Sequence, residues 1–456
     1  MAALDAQLTG AIWKGYEKFT FRIAFIFFFL IFFPLDIDFY TQWFTINWAK
    51  LHIRDLGSLS GGSIRFTTLK TESGEFGLGS YVNWGISLLI ALAGAVIWTF
   101  LDRKRANYTV LYYFITTLVA YSLCVKLQGL TFSKVFPSQM PDLAVTQLNT
   151  PYGDFTMQKH YWIQFSFIHG YEIFAGLAEL LIMVLLFFRQ TRAWGAALAI
   201  AMVGNIAIAN HVYDGGVHVL AMLYPLGGAF ILWAYLPSIY RLLVKEENTM
   251  LNVYHFPYDK KWQQYLRIGF KSFVFILFFV VAAWLHYDNY KNDSYKVPAR
   301  PGLPNSRGLY DVTEFRLNNT IVPYSPVDSN RWQNVTFEKW STISFTVFNT
   351  FDIHNEAGRG KQFKDIDRTY ESAGTGGGRR HYYYEEDSLT HTLTLFNKNK
   401  SYKDQQLVFS YSRPTANRII LNGVNEHKDS VYVVLDRNNK TYPLYEGRKT
   451  ALAVTP

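Results

Sequence analysis

Seven stretches of this chain are each long and apolar enough to cross a bilayer, which leaves few folds open to it. A hydrocarbon core of about 30 Å is crossed by roughly 20 mostly apolar helical residues. Segments 19–35, 82–101, 108–128, 161–188, 193–211, 217–240 and 268–286 meet that condition. The first is crowded with Phe and poor in small residues near its end, so it reads as a retained span, not a cleaved leader. Composition agrees: of 456 residues 17% are charged, against about 25% in soluble domains. The one cysteine, Cys124, excludes an internal disulfide, a CxxC redox centre and cysteine-ligated zinc or iron–sulfur sites. Much of the net charge of +9 lies in short loops between apolar runs, where it is a topology signal; nucleic acid is not expected as a partner.

The loops alternate in basic content. Lys14 and Lys18, Arg103, Lys104 and Arg105, Arg189 and Arg192, and Arg241, Lys245, Lys260, Lys261 and Arg267 fall on one side. The other side holds Lys50, Arg54, Arg65, Lys70, Lys134 and Lys159, half as many over longer segments. The positive-inside rule then puts the N-terminus and Lys104 in the cytoplasm, and seven spans put Gly376 outside. The expected protein is a multi-pass α-helical protein of the inner (cytoplasmic) membrane with a periplasmic C-terminal antiparallel β domain. Its expected divisions are two spans and an outer loop (1–107), four spans (108–244), a cytoplasmic loop with the seventh span (245–290), and a β-sandwich-like tail (291–456).

Strand signals in the tail are short period-two runs between turn residues: Trp340–Phe348, Leu389–Phe396, Gln406–Tyr411 and Val431–Leu435. Asn422-Gly423 and Asn438-Asn439 read as turns. Gly374-Thr-Gly-Gly-Gly-Arg-Arg380 reads as a mobile loop, because it lacks the Lys-Ser/Thr of a phosphate-binding P-loop.

Ionisable residues inside spans are costly and face the bundle interior or a wet cavity. The fourth span carries Gln164, His169, Glu172 and Glu179, with His169 and Glu172 three apart on one face and Glu172 near mid-membrane. Asn205, Asn210, His211 and Asp214 follow on the fifth span, and His218 opens the sixth. Three readings fit this polar layer. It is hydrogen-bonding glue between helices, or a proton-handling site for a ligand such as a quinone, or a metal or haem b site on two facing histidines, such as His169 with His211 or His218. A di-iron bundle needs two Glu-x-x-His motifs, and only one His-x-x-Glu is present, so no metal is assigned. Lys134, just past the third span, reads as a snorkelling residue. The prolines around Tyr152 and Asp154 favour a packed cap at the outer ends of the spans over a free tether.

Residues 108–240 resemble the DoxX-like membrane family, which includes the DoxD-type subunit of thiosulfate:quinone oxidoreductase. The resemblance rests on Lys134-Val-Phe-Pro-Ser-Gln139, Thr150-Pro-Tyr-Gly-Asp154, Tyr171-Glu-Ile-Phe-Ala-Gly-Leu-Ala-Glu179 and Asn210-x-x-Tyr213-Asp214 with His218 after it. It implies a four-helix core over 108–244 and quinone-linked redox work. Glu172, His169, Lys134 and Asp154 are then the catalytic candidates, and Gln139, Tyr152, Asn210, Tyr213, Asp214 and His218 the substrate-binding ones. His218 stands where a lysine or similar basic residue is expected. The alternative is a non-enzymatic membrane subunit or assembly factor whose β domain binds a cell-envelope partner. The order of a helical membrane part and then a β domain is also similar to that of vitamin K-dependent carboxylase relatives, without a shared catalytic motif.

Overall fold

With no water in hydrocarbon to bond exposed amides, each apolar run closes its backbone hydrogen bonds on itself as a helix. The computed structural model describes residues 12–61, 65–67, 77–250, 254, 256–293, 296–355 and 364–446. Lys70, counted above in the first outer loop, lies outside the described residues. The long helices are α1 (Gly15–Phe32), α2 (Tyr81–Leu101), α3 (Thr109–Val135), α4 (His169–Phe187), α5 (Arg192–Val212), α6 (His218–Leu232), α7 (Leu236–Leu243) and α8 (Lys261–Asn292). Among the described residues six helical segments are long and apolar enough to cross a membrane, and α6 with α7, bent by 75°, counts as a seventh only if the bent pair is one span. The chain is a multi-pass membrane protein with a C-terminal β domain.

The chain divides into two compact units. The first comprises residues 1–136 and 172–288, the second residues 137–171 and 289–456. The connection 137–171 therefore belongs with the β domain, whereas the expected divisions had placed it in a four-span core. The fourth span is also shorter than its apolar run. Residues Met157–Ile163 form a separate short helix, and α4 begins only at His169. Trp162 and Phe165 extend the run in sequence, but they pack against a small core of Met140, Val297 and Tyr370 in the second unit.

In the first unit, aromatic contacts join α1 to its neighbours: Phe25 meets Trp98 of α2 edge-on, and Phe28 stacks on Phe230 of α6 at 4.0 Å. Arg22, buried in α1, is satisfied where helices end. Its guanidinium donates to the Tyr108 hydroxyl, Thr99 Oγ1 and the Asp102 carbonyl. Leu89, Ile97, Phe100 and Leu101 of α2 stay exposed, as lipid-facing positions should.

The second unit is built on strands β1 (Gly308–Leu317), β2 (Thr320–Ile321), β3 (Asn334–Phe337), β4 (Thr342–Thr346), β5 (Arg379–Asp387), β6 (Thr392–Asn397), β7 (Gln406–Thr415), β8 (Arg418–Val424) and β9 (Ser430–Asn438). All neighbours pair antiparallel, in the order β1-β3-β4-β5-β6-β7-β8-β9, and β9 closes on β1; the two-residue β2 extends a hairpin from β1. The result is a closed eight-stranded barrel, not a sandwich. Closure follows from β1, whose ten residues pair with β3 near Tyr310 and with β9 along their whole length, across a bulge between Val312 and Glu314. Period-two alternation sends Val335, Phe337, Ile343, Phe345, Tyr382 and Tyr384 inward, where Trp332 stacks on Phe345 at 3.8 Å. Side chains fill a barrel of this size completely.

Two turn expectations fail. Asn422-Gly423 lies inside β8, paired with Tyr432 and Val431; the turn comes at Asn425–Asp429. The 374–380 stretch is not a mobile loop: it is mostly buried, and Gly376 N–H donates to the Asp154 carbonyl at 2.7 Å. Gly378 sits at φ +74, and a β-carbon there would fall onto the Val347 carbonyl oxygen, so the position takes no side chain.

Gly376 is buried and faces Ile353, so orientation is better read at Leu389, 94% exposed on the β5–β6 turn. On a Cys124→Ser background, Lys104→Cys should be labelled by an impermeant maleimide only from the cytoplasmic side, and Leu389→Cys only from outside. The reverse pattern overturns the positive-inside assignment.

Candidate functional site

A lysine and a glutamate in a span are each expensive, and α3 and α4 bring such a pair together. Lys134 Nζ donates to both carboxylate oxygens of Glu179, at 2.8 and 2.9 Å, and to the Leu130 carbonyl. Both side chains are largely buried. Gly176 permits this approach: a β-carbon there would come 2.6 Å from the Val135 amide nitrogen. Lys134 is thus an ion-pair partner and not a snorkelling residue, and Glu179, one of the polar residues of the fourth span, is its counter-ion. Glu172 is buried too, but in the first turn of α4; the later start of the helix removes it from mid-span.

Polar groups near Lys134 on α3 have unmet bonding capacity. Gln128 Oε1 and Thr131 Oγ1, fully buried and three residues apart, find no partner among the described residues. Neither ring nitrogen of His286 does, though its ring lies 6.0 Å from Phe132, one turn along from Gln128. The hydroxyl of Tyr224 on α6, fully buried, is in the same state.

A second polar string lies at the start of α2, the end of α5 and the start of α6. His211 Nδ1 lies 2.6 Å from the Ala207 carbonyl, which only accepts, so Nδ1 carries the hydrogen and Nε2 accepts from the Tyr81 hydroxyl at 3.0 Å. The His211 ring stands edge-on to that of His218, 5.1 Å between centroids. His218, fully buried, pairs through Nε2 with Asp214 at 3.2 Å, and Asp214 is well exposed. Asn210 is fully buried beside them; its Nδ2 donates to the Ile206 carbonyl, and Tyr213 is partly exposed. Both His211 nitrogens are engaged, so His211 does not suit a haem ligand.

The remaining candidates sit in the second unit. His169 Nε2 meets Asp142 Oδ1 at 2.7 Å, and that bond holds the Asp142 carboxyl below its usual range. Asp154 anchors the glycine stretch through its backbone carbonyl, with its carboxylate against Gly377. Tyr152 is exposed and lies over His160, and Gln139 is half-buried. The catalytic set inferred from the resemblance is thus split: Lys134 and Glu172 are in the first unit, His169 and Asp154 in the second. The expected cap is packed as its prolines suggested, but its visible anchors are on the barrel. Glu338, fully buried after β3, accepts the Val145 and Thr146 amides at 2.8 Å each. Thr146 in turn contacts His381 of β5 and Ser344 of β4. Lys159 is buried with its ammonium on the Tyr370 carbonyl and over the Tyr370 ring. Lys398 and Glu371 form a fully buried pair with Thr342. Sequence reasoning missed this layer because outward positions on a barrel normally face water.

No family model matches the chain, and no solved structure does. Over 72 residues it is 35% identical to a Bacillus subtilis (strain 168) protein described as "Uncharacterized protein YwoB". That stretch is 16% of this chain and 47% of the relative, so the chain spans about half the length of the curated relative it matches.

Two outcomes follow from these geometries. Lys134→Met or Glu179→Leu alone should cost about 3–5 kcal/mol by leaving one buried charge unpaired, while the double replacement should be near neutral; thermal unfolding of the three variants measures the difference. Burial also pushes the Glu338 carboxyl up to about 7, against the lowering by its two backbone bonds. The folded state then holds a proton that the unfolded state releases near pH 4.5, so this contribution is greatest at acid pH and is lost as pH rises toward 7. The stability advantage of wild type over Glu338→Gln should therefore shrink between pH 5 and pH 8 by about 1–3 kcal/mol.

Proposed function

We propose that this chain is the quinone-facing membrane component of an oxidoreductase, of the DoxX-like kind its motifs resemble, held in the inner membrane with its barrel on the periplasmic side. The reading rests on one observation: Gln128, Thr131, Tyr224 and His286 are buried in an apolar helical unit with polar atoms that no group among the described residues satisfies. Buried polar groups without partners are rare and costly, and they gather where a ligand or ordered water completes them. A quinone fits that demand, because its ring is apolar and its two carbonyls accept hydrogen bonds. Thr131 and Tyr224 are hydroxyl donors, and one nitrogen of a neutral His286 is a third.

Lys134, paired with Glu179, lies one turn from Thr131 on α3. A quinone takes up protons with its electrons, so a buried acid–base pair beside its carbonyls has a use beyond joining helices. The His218–Asp214 contact, from a buried imidazole to an exposed carboxylate, offers a polar route to the surface. Electrons come from a donor partner. The non-enzymatic alternative draws on the filled barrel, which leaves recognition of an envelope partner to the barrel's outer surface.

Purified protein should carry extractable quinone. Tyr224→Phe should lower quinone affinity about tenfold without lowering the melting temperature, since removing an unsatisfied hydroxyl costs the fold nothing. Absence of quinone, together with no binding of an added short-chain analogue, sinks the reading.

A further inference from the structure

Not every basic residue of the helical unit is matched by an acid. Arg267 and Lys271 lie four apart on α8, so they share a face. Arg192 opens α5. All three sit at the margins of apolar runs: Arg192 just before 193–211, Arg267 just before 268–286, and Lys271 one turn into the latter.

Helix α3 gathers them. Tyr113, Thr117 and Tyr121 follow one another at successive turns on one face of that helix. The Tyr113 hydroxyl lies 3.4 Å from that of Tyr258, and the Arg267 guanidinium stands over the Tyr258 ring at 4.8 Å. Arg192 Nη1 donates to Thr117 Oγ1 at 3.1 Å. The Tyr121 ring packs against Phe187, 5.2 Å between centroids, and Lys271 Nζ stands over Phe187 and Phe188. Three cations thus line one strip of the helical unit. The charged groups that act on Lys271 are Arg267 and Arg192, both of its own sign. Like charges four apart on a helix repel, and next to hydrocarbon little water screens them. Among the described residues no carboxylate pairs with any of the three, and neither Arg267 nor Lys271 donates a side-chain hydrogen bond. Arg192 uses Nε on the Leu186 carbonyl and Nη1 on Thr117, which leaves Nη2. An aromatic face attracts a cation but offers no lone pair to its N–H groups, so those donors remain open to an anion.

We propose that this strip binds the phosphate headgroup of an anionic phospholipid, held by Arg267 and Lys271 with Arg192 adding to the positive field. A guanidinium fork matches two phosphate oxygens, and the lysine supplies a point charge beside it. Position selects a lipid over a soluble anion. Trp262, Tyr265 and Leu266, in the turn of α8 before the two cations, are exposed, and such a mixture marks the level where a span meets the headgroups. A phospholipid puts its phosphate at that level and lays its chains along the apolar side chains. Basic residues between helices at this depth hold anionic headgroups in the same way. The inference stands apart from the quinone reading, since Gln128 and Thr131 lie further along α3 and carry no charge.

The test places the full-length protein in nanodiscs of phosphatidylcholine with rising fractions of phosphatidylglycerol. Native mass spectrometry after transfer to neutral detergent counts the phosphatidylglycerol that stays bound. Arg267→Gln with Lys271→Gln removes two charges from the strip. Arg103→Gln with Lys104→Gln, in the exposed loop before α3, removes two elsewhere. Wild type should retain phosphatidylglycerol, and the strip variant should retain it about tenfold less or weaker still, each basic residue near a headgroup being worth about fivefold. The loop variant should match wild type. In neutral detergent without added lipid the strip variant should melt no lower than wild type, because a repulsion is gone, and phosphatidylglycerol should raise the melting temperature of wild type but not of the strip variant. No retention by wild type overturns the proposal. So does equal loss in the two variants, which would mean a diffuse charge effect. Stabilisation by millimolar inorganic phosphate as large as that by phosphatidylglycerol would assign the strip to a soluble anion and overturn the lipid. If the strip variant does not fold, Arg267→Gln alone, at an exposed position, decides by the same retention.

Discussion

A polar side chain carried out of water must find its partners inside the protein, and both units of this chain are organised by that requirement. In the helical unit Arg22 reaches a tyrosine, a threonine and a helix-end carbonyl, and Lys134 reaches both oxygens of Glu179. These contacts consume charges that the apolar runs could not avoid. Among the described residues, what is left over includes Gln128, Thr131, Tyr224 and His286, buried side chains whose polar atoms find no partner. In a water-filled protein the same four residues would attract no notice.

The barrel unit applies the same rule on a different scaffold. Its interior is filled with aliphatic and aromatic side chains, so its polar chemistry lies on the outside of β3, β4 and β5. Residues 137–171 cover that face, and covering it turns ordinary outward positions into buried ones. Glu338 exchanges water for two backbone amides, Lys159 for a carbonyl and a ring, and Glu371 for Lys398. Burial pushes the Lys159 ammonium down to about 7, opposite in sign to Glu338, so the cap is held by groups whose charge states depend on staying covered.

The division of residues between the units bears on how the resemblance is used. Its motifs run in order through 134–218, but the chain places Lys134 and Glu172 in one unit and Asp154 and His169 in the other. A run of matching residues does not by itself make one site. Glu179 was visible in sequence as the end of a motif, yet its pairing with Lys134 depends on Gly176 letting two helices approach. Gln128 and Thr131 carried no signal at all, since isolated Gln and Thr in an apolar run are common and only tertiary packing shows that they lack partners.

The sequence alone determined the membrane class, the apolar runs that form the long helices, and the β character of the tail, because hydrophobic length and period-two alternation are local properties read along the chain. It also marked the His211–Asp214–His218 neighbourhood, where polar residues cluster within eight positions. Tertiary structure alone decided that the tail closes into a barrel, since closure depends on β9 finding β1 across more than a hundred residues. It decided that the aromatic run before His169 leaves the span for the second unit, because burial against protein and burial in lipid satisfy Trp162 and Phe165 equally well by sequence. And it decided which arginine pairs with an acid: Arg379 and Arg380 are neighbours of one type, and only the opposite directions of successive strand residues give Arg380 a glutamate and Arg379 neutral acceptors.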